Sequence, residues 1–570
     1  MNNLARDKLG KMIMKRSNVN IQNSEGFALI TVMAISFLGS VVVFDSIKEN
    51  VNQERMAGNY SKELNARIQA ENGLAKAYNE LSNDSSMSPN KMEELLNTNT
   101  STSYRYTIDA WAGSDTSTTE LESEGSHYEG NYDIRGAMIT GGSPGNNVFT
   151  GAITTCDGVS LGSGGIIDSY DSNDGNYDSS NAGANGDITV LNGELTENSA
   201  LSTSGSVDIY GDVSVNGDVS LTNGKIYGDA SASGSITTNN SGEASIGGNI
   251  EAGGDITYKS TDSTNAPDSI SSNGSVTIGG DGQTSFNGDV SYGGDNGGTY
   301  TSGDNVENNV TQYDEDHVSE VEYQECDILN IADEFDNTAD GIGSLANSTP
   351  TNINFGYPKN DYIISDEGVT AYDDTWNVKD WVDVDTNQET VDFQGSETPV
   401  YVMDISGFGD GSQSITIASG SNVTIYLSTD TFIGGTINVE EGATLTILTE
   451  NSFEVGSNGA ITNLNDAGEV SGAVVNSNGD IGTTLYSNYQ STSNSDYGVE
   501  LFGNTDSYMA TYATEASVKI QASGSQYGSI RSNYVDVTNT SVGLHYDEQI
   551  ANANVGNSTG DSKVEIIRWF

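Results

Sequence analysis

Cysteine, proline, histidine and basic side chains are all scarce in this 570-residue chain. Two cysteines, Cys156 and Cys326, lie 170 residues apart. They are too few for a Cys-rich metal centre, but in an oxidising compartment they can form one disulfide. Three histidines, His127, His317 and His545, are far apart in sequence, which argues against a zinc site without excluding one by spacing. With 6 prolines the chain is not a Pro-rich stalk. Basic residues number 10 beyond residue 91, against 72 acidic ones, a balance of -62. Such a surface repels nucleic acid and anionic lipid and attracts divalent cations and basic partners. Plain solubility in a salty medium is the other reading of the same charge. No phosphate-binding loop, nucleophile motif or basic aromatic groove occurs.

The first 91 residues differ, with a charge balance of +2. A basic leader ending at Glu25 precedes nineteen uncharged residues, Gly26 to Phe44. As a helix these span roughly 28 Å, close to a bilayer core. Lys8, Lys11, Lys15 and Arg16 precede the run, so the positive-inside rule keeps the leader cytoplasmic and sends the C-terminal mass across. A cleaved secretory signal is the rival reading, disfavoured because Glu25 abuts the run and no small-x-small site ends it. Beyond Phe44, spaced apolar positions from Ile47 to Leu81 fit an amphipathic continuation bent near Gly58. The expected helix over 27–82 would be roughly 80 Å long.

Glu54-Arg55-Met56-Ala57-Gly58-Asn59, followed by Ala70-Glu71, resembles the N-terminal region of PilX-type minor pilins of type IV pili. The resemblance covers about residues 24–82. It implies cleavage by a prepilin peptidase at Gly26/Phe27, leaving Phe27 as mature N-terminus. It also implies packing against other pilin subunits, with inner-membrane residence before assembly and a pilus or cell-surface location afterwards. Most pilins carry Glu at mature position five; here Thr31 stands there, a departure that suits a tip or minor subunit with nothing above it.

The remainder reads as mainly β. Residues 104–111 and 119–128 alternate as strands, the start of a pilin-like sheet that a Gly-rich insertion interrupts or extends. Residues 83–185 are expected to hold these strands and a linker. Over 186–293, Gly205, Gly211 and Gly217 step by six between short Val/Ile alternations. That is the pattern of a Gly-rich β-solenoid, right- or left-handed, in which stacking buries each rung. Residues 294–395 read as an acidic spacer or irregular domain, and 396–570 as a C-terminal β-helical domain of the kind attached to PilX-like N-termini.

Within the spacer, Asp383, Asp385, Asn387 and Glu389 present oxygens at alternate positions. Calcium is the one cofactor this pattern suggests, and a solvated acidic turn is the alternative, because the EF-hand glycine and final Glu are missing. His545-Tyr546-Asp547-Glu548 has the residue types of acid/base chemistry, yet such neighbours more often end a strand. Tyr486, Tyr489 and Tyr497 are candidate stacking platforms for sugar rings. The functional expectation is a non-enzymatic minor pilin-like protein acting in pilus assembly or tip display and in adhesion to surface polysaccharide or another cell. The alternative is a membrane-tethered β-helix that binds or degrades polysaccharide.

Overall fold

A computed structural model of the chain separates into two compact units, Met1–Gly142 with Val564–Phe570, and Ser143–Lys563. It describes helical residues 32–38, 40, 48, 62, 64–68 and 70, the backbone of strands at 91–97, 102–110, 118–127, 130–139 and 565–569, and residues 148–553 apart from breaks at 163, 193–199, 240–243, 280–285, 287, 304–308, 320, 322–324, 338–339, 357–358, 376–377, 410 and 539–542.

In the first unit the expected long helix over 27–82 lies mostly outside the described residues. Among the described residues no helix is long and apolar enough to cross a membrane. The unit's sheet has five antiparallel strands, Lys91–Asn97, Thr102–Ala110, Thr118–His127, Gly130–Ile139 and Glu565–Trp569, in that order. The last strand corrects the expected domain boundary. Residues 565–569 complete this sheet rather than the β-helix, and the whole of Ser143–Lys563 is inserted, in chain order, before it. A five-residue alternating strand carries no mark of its partner, so its pairing is invisible to periodicity.

The second unit is a parallel β-solenoid. Its three-residue strands, such as Val213–Val215 and Val219–Leu221, point both outer side chains inward and the middle one outward. An aliphatic column runs through paired residues Ile530, Ile153, Ile188, Val213, Ala230, Ile250, Ile270 and Val290, all buried. Parallel strands buried by stacking need no alternation with solvent on their inner side, and each Ile or Val removed from water stabilises by about 1.5–3 kcal/mol.

Glycine and aspartate together make the corners. Asp187 Oδ1 accepts the Asp212 N–H at 2.7 Å, Asp212 Oδ1 accepts that of Asp229 at 2.8 Å, and Asp229 Oδ1 accepts that of Asn249 at 2.7 Å. A second corner repeats this from Asp218 to Ser235 and from Asp255 to Ser275, each at 2.7 Å. A Cβ on Gly228, Gly234, Gly248 or Gly274 would collide with the carboxylate arriving from the rung before. These five aspartates are therefore architectural: their carboxylates satisfy corner N–H groups that no strand partner reaches.

The rungs are not stacked in chain order. The late strand Ile530–Val537 pairs in parallel with Ile153–Leu161, and Leu544–Asp547 pairs with Gly165–Tyr170. The C-terminal coil thus stacks on the first rung of the N-terminal coil, and one column crosses the junction. Residues 153–170, expected as linker, form that first rung.

The expected acidic spacer over 294–395 is also replaced by finer parts. Tyr300–Ser302 and Val310–Gln312 continue the solenoid. A return segment follows, then the short helix Ile331–Asp336, then an antiparallel meander of Lys359–Ser365, Gly368–Thr375 and Val378–Val384. The meander and the strand Gln388–Phe393 lie against the first C-terminal rungs and blunt their parallel edges. Acidity marked this region, but it could not separate rung, strap and cap.

Candidate functional site

In the first unit, helical residues Val32, Met33, Ile35, Phe37 and Leu38 are between 60% and 70% exposed. Farther along, Ala66 and Ala70 are fully buried while Leu64 and Ile68, one turn apart, are exposed. Helical residues 64–68 and 70 therefore bury a small-residue face and offer apolar side chains outward. Gly26, Phe27, Thr31, Glu54, Arg55, Met56, Ala57, Gly58, Asn59 and Glu71 lie outside the described residues; of the motif positions only Ala70 falls within them.

In the second unit the chain must return from Val310–Gln312 to the junction. The aliphatic column places that strand seven rungs away, about 34 Å at ~4.8 Å per rung. Fourteen residues, 313–326, have an extended reach of about 46 Å and so can bridge this distance with room to spare. Asn273 holds the segment midway, its Oδ1 accepting the His317 and Val318 N–H groups at 2.8 Å and its Nδ2 donating to Val318 O at 2.9 Å. At the junction Cys326 is disulfide-bonded to Cys156, with Cα atoms 5.5 Å apart.

Arg531, the one arginine between 143 and 563, is buried beside it. It donates from Nε to Cys326 O at 2.9 Å and from its terminal nitrogens to Glu325 O at 3.1 Å and Val148 O at 3.4 Å. Burial pushes its pKa below the ordinary arginine value, opposed by Tyr512 and Asp327. Asp327 accepts the Tyr512 hydroxyl at 2.8 Å and the N–H groups of Ile331 and Ala332 at 3.0 and 2.9 Å. Sequence reasoning missed Arg531; its isolation among so many acids was the available signal.

The acid/base residues near the C-terminus lie on the same junction. His545 and Asp547 are consecutive outward positions of Leu544–Asp547 and both are buried. His545 Nδ1 lies 2.5 Å from Asp168 Oδ1 on the neighbouring rung, and Asp168 Oδ2 accepts the Tyr177 hydroxyl at 2.7 Å. The Tyr177 ring stacks over the imidazole at 3.7 Å. Asp547 turns elsewhere, accepting N–H groups of Val474 at 3.0 Å, Gln549 at 3.2 Å and Ser172 at 3.3 Å. Burial raises its pKa above the ordinary carboxylate range. Among the described residues no serine or cysteine hydrogen-bonds to His545, so the arrangement orients an imidazole without presenting it a nucleophile. It joins the first and last rungs.

The calcium candidate is not gathered into a cage. Asp383, Asp385 and Glu389 are exposed around the turn between two edge strands, and the Asn387 amide donates to Thr349 O at 3.0 Å. Among the described residues no three His, Cys, Asp or Glu side chains group closely enough to hold a metal ion. Charges on edge strands discourage pairing with another chain. Of the three tyrosine platforms the structure corrects Tyr486, while Tyr489 and Tyr497 are half-buried. Tyr486 is buried under Phe393, and Tyr489 and Tyr497 turn their hydroxyls to Asp496 at 2.9 Å and Asp536 at 2.6 Å.

Sequence reasoning also missed a groove of about 610 Å³ on the C-terminal coil. Its floor carries Thr424, Thr446 and Thr484, which occupy one position on three successive rungs. Asp366 from the turn between Lys359–Ser365 and Gly368–Thr375, Glu397 from the rung strand Ser396–Asp404 and Asp480 from the loop before Thr483–Ser487 border it. Thr at equivalent rung positions was visible in the sequence, but the intervening loop makes one repeat 38 residues instead of 22 and hides the register.

No protein-family model matches this chain, and no curated protein matches it. Among solved structures it is similar to the competence-associated pilin ComZ from Thermus thermophilus, at 9% sequence identity over 89% of this chain and 97% of that one, with a TM-score of 0.26. A TM-score of that size does not establish a shared fold.

Proposed function

We propose that this chain is a non-enzymatic, type IV pilin-like structural subunit of the minor, PilX-like kind. Its N-terminal helix is held in the inner membrane and then among other pilin subunits. The inserted solenoid is displayed at the pilus or cell surface, where it serves assembly or tip display and adhesion. The observation that supports this most is the exposure of Val32, Met33, Ile35, Phe37 and Leu38 on described helical residues. Burying each in lipid or against neighbouring helices would contribute about 1.5–3 kcal/mol, a driving force that water leaves unused. The leader charge and the segment at Glu54–Asn59 support the same reading.

Cleavage at Gly26/Phe27 by a prepilin peptidase is the testable step. In cells that carry the peptidase, Gly26→Val is expected to retain the leader, so that the mass of the membrane-associated protein rises by that of residues 1–26. An unchanged mature mass would refute the assignment.

A further inference from the structure

We infer that the groove over Thr424, Thr446 and Thr484 is a binding site for an uncharged polysaccharide. This deepens the display reading by naming what the exposed solenoid grips.

The floor comes first. Thr424 pairs with Thr446, and Thr446 with Thr484, so the three side chains repeat at the rung spacing of ~4.8 Å. All three line the groove, and within the described residues their hydroxyls make no hydrogen bond to the protein. A neighbouring column is already satisfied, Thr444 Oγ1 donating to Asn422 Oδ1 at 2.8 Å. The central hydroxyls therefore form a regular row of donors and acceptors facing outward, and a row with a period best fits a ligand with one. Sugar units along an extended glycan advance by a similar step, and each offers hydroxyls that can both give and accept.

The walls narrow the class. Asp366, Glu397 and Asp480 border the groove, and no basic side chain lines it. Carboxylates accept hydrogen bonds from neutral sugar hydroxyls strongly but repel uronates, sulfated glycans and nucleic acid. A metal bridge is disfavoured because these acids do not group as a ligand cluster among the described residues. Phe393 and Tyr486, in edge-to-face contact with centroids 5.4 Å apart, are buried beneath the groove and stiffen its floor, so the hydroxyl row and the bordering carboxylates carry the recognition.

The test uses the purified full chain in detergent with a chelator present. Retardation is measured in native gels that contain dextran, amylose or galactomannan, and in gels that contain polygalacturonate. We expect retardation by at least one neutral polymer and none by polygalacturonate. Thr424→Val/Thr446→Val/Thr484→Val keeps β-branched shape while deleting three hydroxyls, and should weaken affinity for that polymer about ten-fold or more. Thr446→Val alone serves as a milder variant should the triple one unfold, and should weaken it two-fold or more. No retardation by any neutral polymer, equal retardation by polygalacturonate, or unchanged affinity in a folded variant would each overturn the site. None of these results bears on leader cleavage, so this proposal fails separately from the pilin-like one.

Discussion

Removing the Cys156–Cys326 bond tests the reading of residues 313–326 as a return strap. Cys156→Ala/Cys326→Ala opens a loop of 170 residues. Closing a loop of that length in the unfolded chain is worth about 5 kcal/mol in the chain-entropy account. That value is an upper figure here, because Arg531 and Asn273 still hold the strap through backbone carbonyls and N–H groups. Expected losses are therefore about 2–5 kcal/mol, read as a lower guanidinium midpoint by circular dichroism. A second readout is spatial: limited proteolysis should cut the variant first within 313–326, because rung strands are hydrogen-bonded on both sides. If midpoint and cleavage pattern both match the unaltered chain, the strap is not held in the way described and the argument fails.

Other outcomes follow from the same geometry. Arg531→Met leaves three junction carbonyls without their donor and should destabilise the solenoid by about 2–4 kcal/mol in the same titration; no change would contradict its role at the junction. Gly234→Ala sets a methyl group against the Asp218 carboxylate and should cost about 1–3 kcal/mol, whereas a neutral result would disprove the corner packing. Burial raises the Asp547 pKa, so its contribution is fully present below the unfolded value of about 3.9 and is lost as pH rises through the higher folded value. Thermal midpoints of Asp547→Asn should lack that alkaline-side loss. Asp262 runs the other way. Its bond to Lys225 at 2.7 Å holds it below the ordinary carboxylate range, so its contribution is present above about pH 3.9 and disappears on acidification. Lys225→Met should remove that acid-limb dependence.

Much of the β-architecture was legible because short Val/Ile alternations between glycines leave one economical solution, stacking. Val213-Ser214-Val215 and Val219-Ser220-Leu221 read correctly as adjoining strands. The six-residue step between glycines, however, marks successive sides of one coil, while the true rung repeat is the 20-residue spacing of Ile250, Ile270 and Val290. Connectivity was the harder part. Nothing local in Ile530–Val537 says that its partner is Ile153–Leu161, because parallel pairing depends on long-range register rather than on turn chemistry. The candidate sites followed the same division. Asp383, Asp385 and Glu389 had the right chemistry in sequence but the wrong convergence in space. Asp168 and His545 converge although 377 residues separate them.

The return segment ties two lengths together. Duplicating a coil in the N-terminal half would move Val310–Gln312 outward by ~4.8 Å while leaving Cys156 where it is. The chain leading back to Cys326 would then have to span ~38 Å rather than ~34 Å, drawing on an extended reach of about 46 Å. Growth of this half is thereby bounded by a stretch far away in sequence: about two added coils would use up the reserve, and relatives with more coils than that should show insertions between their counterparts of Gln312 and Cys326.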